Sequence, residues 1–228
     1  MTGRQKTGSN PSKLLFLCSG EGGNLKFFHE LERRGYIPHY SMHVITNKDC
    51  GAFRYAKANG ITASLVEQNE HFDECLRAEI DQLACDLVIS TWTKIIDAET
   101  VAKNHGKLIN LHYSLLPAFG GLVGVEPLEL AYARGCKFVG PTVHFVERAV
   151  DSGPIICQGV FNTDRPIRSS CQQMYRSGCI ALLIAVNGIL GITHLPVFDG
   201  VDAEFSPKPS TTSEFHITEM FWEDVSQL

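Results

Sequence analysis

The run Leu14-Leu-Phe-Leu-Cys18 passes straight into the turn Ser19-Gly-Glu-Gly-Gly-Asn24, and the stretch Asn24 to Arg34 that follows spaces its apolar residues as a helix does. A short, unbroken apolar run that ends in glycines and a helix is the opening unit of a parallel sheet, because strands covered on both faces lose the apolar/polar alternation. The pattern repeats outward along the chain. His43 to Thr46, Asp86 to Ser90 and Lys107 to Asn110 are further strands, separated by helices over Ala52 to Asn59, Phe72 to Ala84 and Ala98 to Asn104. Asn24 and Asp97 are placed as N-caps, and Gly35, Gly60 and Gly106 as helix stops. Together these units predict a Rossmann-like α/β half.

Past Pro117 the texture changes. A glycine-rich loop (Gly120, Gly121, Gly124) precedes a short helix from Pro127 to Arg134 and two β-runs, Phe138 to Val146 and Pro154 to Phe161. The turn Asp151-Ser-Gly-Pro154 between those runs predicts an antiparallel extension of the sheet. A long helix over about Ser170 to Leu190 closes the core. Leu195 to Ser213 is rich in Pro, Ser, Thr and Gly and reads as a linker, and Phe215 to Val225 as a short helix covering an apolar patch. The expected organisation is a disordered tail over 1–12, a catalytic domain over 13–194, and a linker and appendage over 195–228.

Bulk composition excludes several function classes. With 228 residues, 44% hydrophobic and 20% charged, the chain has the make-up of one globular domain rather than a disordered one. A net charge of −5 supplies no basic face for nucleic acid or an anionic membrane. No run of about eighteen apolar residues is present, and Met1 to Lys13 lacks the apolar segment of a signal peptide, so a soluble, cytoplasmic protein is expected. The eight cysteines are scattered without a Cys-x-x-Cys pair, which argues for buried thiols rather than disulfides or zinc.

Three places carry candidate chemistry. The turn Ser19, Gly20, Glu21, Gly22, Gly23, Asn24 opens a helix, where close backbone approach and free N–H groups suit an anion. A β-α turn that needs glycine for geometry alone accounts for the same residues. The dinucleotide fingerprint is absent, since Leu25 replaces its third glycine. Second, Ile109-Asn-Leu-His112 puts Asn110 and His112 on one face at the carboxyl end of a strand, where open α/β sheets bind ligands. Third, Asp151 is ordinarily a turn former, but one that met His112 would favour its protonated ring and make it a proton shuttle.

Asn110-Leu-His112, Ser114-Leu-Leu-Pro117, Thr142-Val-His-Phe145 and Asp151-Ser-Gly-Pro-Ile155, in this order and spacing, resemble the folate-dependent formyltransferases from about Leu14 to Leu190. The Ser19 to Asn24 turn looks like the phosphate loop of glycinamide ribonucleotide formyltransferase, and Leu108 to Gly159 is similar to formyltetrahydrofolate deformylase. The resemblance implies a Rossmann-like formyltransferase fold, mostly parallel with an antiparallel C-terminal extension. It also implies 10-formyltetrahydrofolate as cosubstrate, with no metal. Asn110, His112 and Asp151 would be catalytic. Thr93, Lys94, Ile95, Ile96, Val143, His144, Val146 and Val150 would hold the folate, and Ser19 to Asn24 with Glu126 the acceptor.

Departures from the family pattern bear on the acceptor. Ser177 stands where the purine enzymes carry a Glu on the last long helix, and Tyr113 replaces the usual Pro after the histidine. Glu126 or Glu129 could supply the missing acid. The implied activity is therefore formyl transfer to a primary amine of a small acceptor, phosphorylated or sugar-like, with glycinamide ribonucleotide formyltransferase and formyltetrahydrofolate hydrolase as alternatives. Neither nucleic acid nor membrane is an expected partner, and a homodimer stays open beside the monomer.

Overall fold

A computed structural model describes residues 11–191 and 194–228, so most of the tail expected over 1–12 lies outside the described residues. In chain order the elements are β1 (Lys13–Cys18), α1 (Gly23–Arg33), β2 (Ser41–Thr46), α2 (Gly51–Ala58), β3 (Thr62–Leu65), α3 (Phe72–Leu83), β4 (Leu87–Ser90), α4 (Ala98–Lys103) and β5 (Leu108–His112). They continue as α5 (Glu126–Ala133), β6 (Phe138–Val139), β7 (Thr142–Phe145), β8 (Ile155–Asn162), α6 (Ile167–Leu190), β9 (Leu195–Phe198), β10 (Glu204–Ser206), β11 (Thr211–Ile217) and α7 (Glu219–Gln227).

Among the described residues a nine-stranded sheet runs in the order β10-β8-β7-β5-β4-β1-β2-β3, with β6 beside β8. From β3 to β5 every pairing is parallel, and from β5 to β10 every pairing is antiparallel, as the sequence predicts. Alternate residues of β1 explain its unbroken apolar run. Leu14, Phe16 and Cys18 pack on the face covered by α1, α2 and α6, whereas Leu15 and Leu17 pack on the face covered by α3 and α4. Asp97 caps α4 as expected, accepting from the amides of Glu99 and Thr100 at 3.0 and 3.1 Å.

The structure differs from the sequence reading in four places. Asn24 does not cap α1: Gly22 does, at φ 73° and without a side-chain bond, and the Asn24 carboxamide instead accepts from Cys179 Sγ at 3.2 Å. β3 is an extra edge strand whose polar sequence, Thr-Ala-Ser-Leu, carries no strand signal. Helix α6 starts at Ile167, one turn ahead of Ser170, directly after Pro166 at its N-cap. It is long and apolar enough to span a membrane, but most of it is buried in the core, as a central helix must be.

The fourth difference is the C-terminal segment. Where composition suggests a linker, β10 joins the main sheet, β9 and β11 form a parallel pair, and α7 docks on α1. Gly200, Pro207 and Pro209 lie between these strands, and Pro196 lies within β9. Trp222 stacks on Phe27 at 5.3 Å with an interplanar angle of 8°, and Phe221 meets the same ring edge-on at 5.9 Å. Arg34 reaches Asp224 at 2.6 Å.

Such packing makes the segment part of the core. Phe221→Ala should cost about 3–5 kcal/mol through lost burial and an unfilled cavity, read as a lower urea midpoint with unchanged slope. A shift within about 0.5 kcal/mol would show a surface appendage instead.

Candidate active site

Strand β5 carries the site because it is the switch point of the sheet: β4 lies parallel on one side and β7 antiparallel on the other. Period-two alternation turns Ile109 and Leu111 into the core and Asn110 and His112 to the opposite face. Register places Asn110 across from His144 and His112 across from Thr142. The turn after β7 brings Asp151 over both histidines, with its Oδ2 3.3 Å from His112 Nδ1 and its Oδ1 3.5 Å from His144 Nε2.

Hydrogen bonds fix the orientation of each group. His112 Nε2 donates to the Phe119 carbonyl at 3.1 Å, which turns Nδ1 toward the carboxylate. His144 Nδ1 donates to the Phe145 carbonyl at 2.8 Å, which leaves Nε2 as the nitrogen facing Asp151 Oδ1, with Asn110 Nδ2 3.3 Å from it. The amide nitrogen of Asn110 carries two protons, donors available to the cleft. The Gly121 amide donates to Asp151 Oδ2 at 2.8 Å. Burial alone would raise the Asp151 carboxyl pKa. The hydrogen bond from His144, the Gly121 amide and the charges of His112 and His144 outweigh it and hold the pKa below the ordinary carboxylate value. Asp151 sits at φ 51°, a left-handed conformation uncommon outside glycine and typical of functional sites.

The loop between His112 and Gly121 is tied to the sheet through Thr142. Its hydroxyl donates to the Ser114 carbonyl at 2.7 Å and accepts from the Leu116 amide at 3.1 Å and Gln158 Nε2 at 3.0 Å. Sequence reasoning missed this brace and the Gly121 donor. Thr142 and Ser114 lie inside the motifs quoted above, yet nothing local signals that they meet.

These groups open onto a cleft of about 550 Å³ at the carboxyl ends of β1, β4 and β5. Of the predicted folate residues, Thr93, Lys94, Ile95, Ile96, His144, Val146 and Val150 line it, with Ile95 72% and Val150 55% exposed. Val143 does not; it is fully buried in the core, since alternation along β7 sends it the other way from His144. Of the predicted acceptor residues, Gly20, Glu21, Gly22, Gly23 and Asn24 line the cleft. Ser19 and Glu126 are not brought there, and Glu126 starts α5 on the exposed surface. Ser177 is buried and bonded to Gln173 at 3.2 Å. Trp92, Tyr113, Val123 and Arg148 line the cleft as well. Lys94 and Arg148 reach no carboxylate within 4.0 Å among the described residues, and Lys94 Nζ sits 3.6 Å from the Phe72 ring centroid.

The thiols are off this path. Burial pushes Cys18 and Cys157 up to about 12 and Cys85 to about 11, which leaves them protonated and inert at neutral pH.

Residues 12–177 match the family described as Formyl transferase. The chain is 33% identical over 157 residues to "Phosphoribosylglycinamide formyltransferase, chloroplastic" of Vigna unguiculata, covering 65% of this chain and 50% of that protein. It is 38% identical over 110 residues to "Formyltetrahydrofolate deformylase" of Haemophilus influenzae, covering 48% and 37%. The chain thus spans half or less of the length of these two relatives. Among solved structures, glycinamide ribonucleotide transformylase 1 from Symbiobacterium toebii superposes with a TM-score of 0.71 at 25% identity, over 85% of this chain and 93% of that one.

Two outcomes test the geometry. A carboxyl whose pKa is depressed on folding adds stability that is complete above the ordinary value, ~3.9, and is lost as pH falls through the depressed one. Asn adopts the left-handed region as readily as Asp, so Asp151→Asn removes the charge and little else. Urea titrations should find wild type more stable than Asp151→Asn at neutral pH, with the gap closing below about pH 4; a pH-independent gap would take the charge out of the account. At the turn, a Cβ on Gly22 would lie 2.7 Å from Ala52 Cβ at φ 73°, whereas one on Gly20 meets nothing within 4 Å. Gly22→Ala should cost about 1–3 kcal/mol and Gly20→Ala less than about 1, by thermal unfolding.

Proposed function

The chain belongs to the formyl transferase family, and we propose from that premise that it moves the formyl group of 10-formyltetrahydrofolate to a primary amine of a small acceptor. The observation that carries this reading is the convergence of Asn110, His112 and Asp151 on one cleft, with Asp151 3.3 Å from His112. Residues 13–194 would be the catalytic unit. The cleft suits the folate: an irregular backbone segment (93–96), the apolar side chains Ile95 and Val150 for a flat ring, and Lys94 and Arg148 for the carboxylates of a glutamyl tail.

The folate supplies an activated formyl carbon. The acceptor amine attacks it, and as the new N–C bond forms the formyl C=O opens to an oxyanion; the carbonyl then re-forms as the bond to the folate nitrogen breaks, with one proton passing from the amine to that nitrogen. Asn110 Nδ2 donates to the oxyanion that develops on the formyl oxygen, an interaction stronger in the transition state than before it. His112 has both ring nitrogens engaged, by Phe119 and Asp151, so its part is to stabilise charge and orient the carboxylate. Asp151, kept ionised by its surroundings, holds the water that relays the proton.

Glycinamide ribonucleotide is the acceptor favoured by the relatives' names and by the glycine turn at the start of α1, whose uncapped N–H groups suit a phosphate. Ser177, in place of the family's acid on α6, favours a different amine, for which a sugar-type acceptor is the alternative.

Folate absorbance followed with water alone, with glycinamide ribonucleotide and with a panel of amino sugars separates these readings. Turnover that requires an amine is expected; a full rate with water alone would make the protein a hydrolase. Asn110→Ala should lower kcat by about 10²–10³ and His112→Ala by about 10²–10⁴, with the Kd for folate within about twofold. Retained activity in either variant would remove that residue from the mechanism.

A further inference from the structure

The matched family region ends at residue 177, yet its acceptor-side turn is held from behind by residues reaching past that limit. Gly23, the first residue of α1, presses its backbone against the ring of Tyr175 on α6. A Cβ there would lie 2.8 Å from Tyr175 Cε2, and the Tyr175 hydroxyl donates to the Gly23 carbonyl at 3.1 Å. Tyr175 in turn meets Trp222 of α7 edge-on, with ring centroids 6.3 Å apart at 75°. The next residue, Arg176, forms a two-pronged ion pair with Glu219, one arm at 2.7 Å, and its guanidinium lies 5.4 Å from the Trp222 ring centroid. Trp222 also stacks on Phe27, one turn into α1. One indole therefore touches both the helix that begins at the turn and the tyrosine that fixes where it begins.

We infer that α7 is part of the acceptor side of the cleft: Trp222 and Tyr175 are positioning residues that set where the Gly23 backbone and the uncapped start of α1 stand. The turn cannot set this by itself. Gly22 and Gly23 carry no side chains to pack, no side chain caps the helix, and its first intrahelical bond is Lys26 N–H to Gly22 C=O at 2.9 Å. Glycines are the residues most free to move when unsupported, so the ring of Tyr175 supplies the rigidity that they lack. The folate end of the cleft, built on 93–96 and 144–150, shares no hydrogen bond, ion pair or aromatic contact with α7 among the described residues, so the effect is centred on the acceptor side.

The inference rests on the formyl-transfer reading, and its test separates the two. Tyr175→Phe keeps the ring and deletes the hydrogen bond; Trp222→Phe keeps an aromatic plug and withdraws part of the contact. In steady-state transfer each should raise the acceptor KM about three- to tenfold, Tyr175→Phe through one neutral hydrogen bond and Trp222→Phe through lost ring contact, with kcat and the KM for 10-formyltetrahydrofolate within about twofold. Amide exchange at Lys26, the first closed bond of α1, should speed several-fold in Tyr175→Phe while the central strands keep their protection. An unchanged acceptor KM overturns the inference, as does a parallel rise in both KM values, which would signal general loosening. If wild type transfers formyl to no amine, the formyl-transfer reading fails; the exchange measurement still decides the positioning, and unchanged exchange at Lys26 overturns it.

Discussion

A carboxylate with only 10% of its side chain exposed must be paid for by partners, and at Asp151 these are two imidazoles and a backbone amide drawn from three elements. His112 comes from β5, His144 from β7, and the Gly121 amide from the glycine-rich loop. Each contact pins one wall of the cleft to the same two oxygen atoms. Removing any one of them leaves the others facing a poorly compensated charge, which costs more than the bond itself is worth. The left-handed backbone at Asp151 is tolerated on this account: its small cost is offset by the partners its side chain meets.

Sheet topology explains why the partners meet there. β5 is the last parallel strand, and the first antiparallel one, β7, starts beside its carboxyl end, so His112 and Thr142 are opposite one another. The βα loops after β1 and β4 open on the same edge. An acid from a turn, an amide from a strand and a helix start can then share one cleft without any long loop having to be ordered, which keeps the entropy of assembly low.

Much of this was legible in the sequence. Apolar runs such as Leu14 to Cys18 predict a buried parallel sheet because burial on both faces abolishes alternation, and Asn110, His112 and Asp151 announce themselves through motif order. What was not legible depends on distance. Thr142 looks like an ordinary strand threonine until three partners from two other segments converge on its hydroxyl. Val143 reads as cleft-lining only if alternation along β7 is ignored. The C-terminal segment reads as linker because its Pro and Gly content is real, but β9 and β10 are short, and these strands gain their stability from what they pack on, not from local propensity. Glu126 was a candidate acid by charge alone, and charge does not say which way a helix start faces.

The acceptor end of the cleft follows from the same logic of burial. Ser177 and its partner Gln173 are both buried and bonded to each other, so that turn of α6 presents no charge to a ligand. Gly178 and Gly23 instead receive the rings of Tyr113 and Tyr175, each 2.8 Å from where a Cβ would stand. Burial pushes both phenols well above their ordinary pKa, which keeps them neutral. An acceptor in the cleft would meet the ring of Tyr113 and the backbone N–H groups at the start of α1, with Tyr175 behind that turn. Its amine cannot be held by an ion pair to α6. On the proposed reading its orientation toward the formyl carbon would come from the turn at Gly20 to Asn24 and from Asn110, so the placing of glycines that carry no side chain would bear on the chemistry.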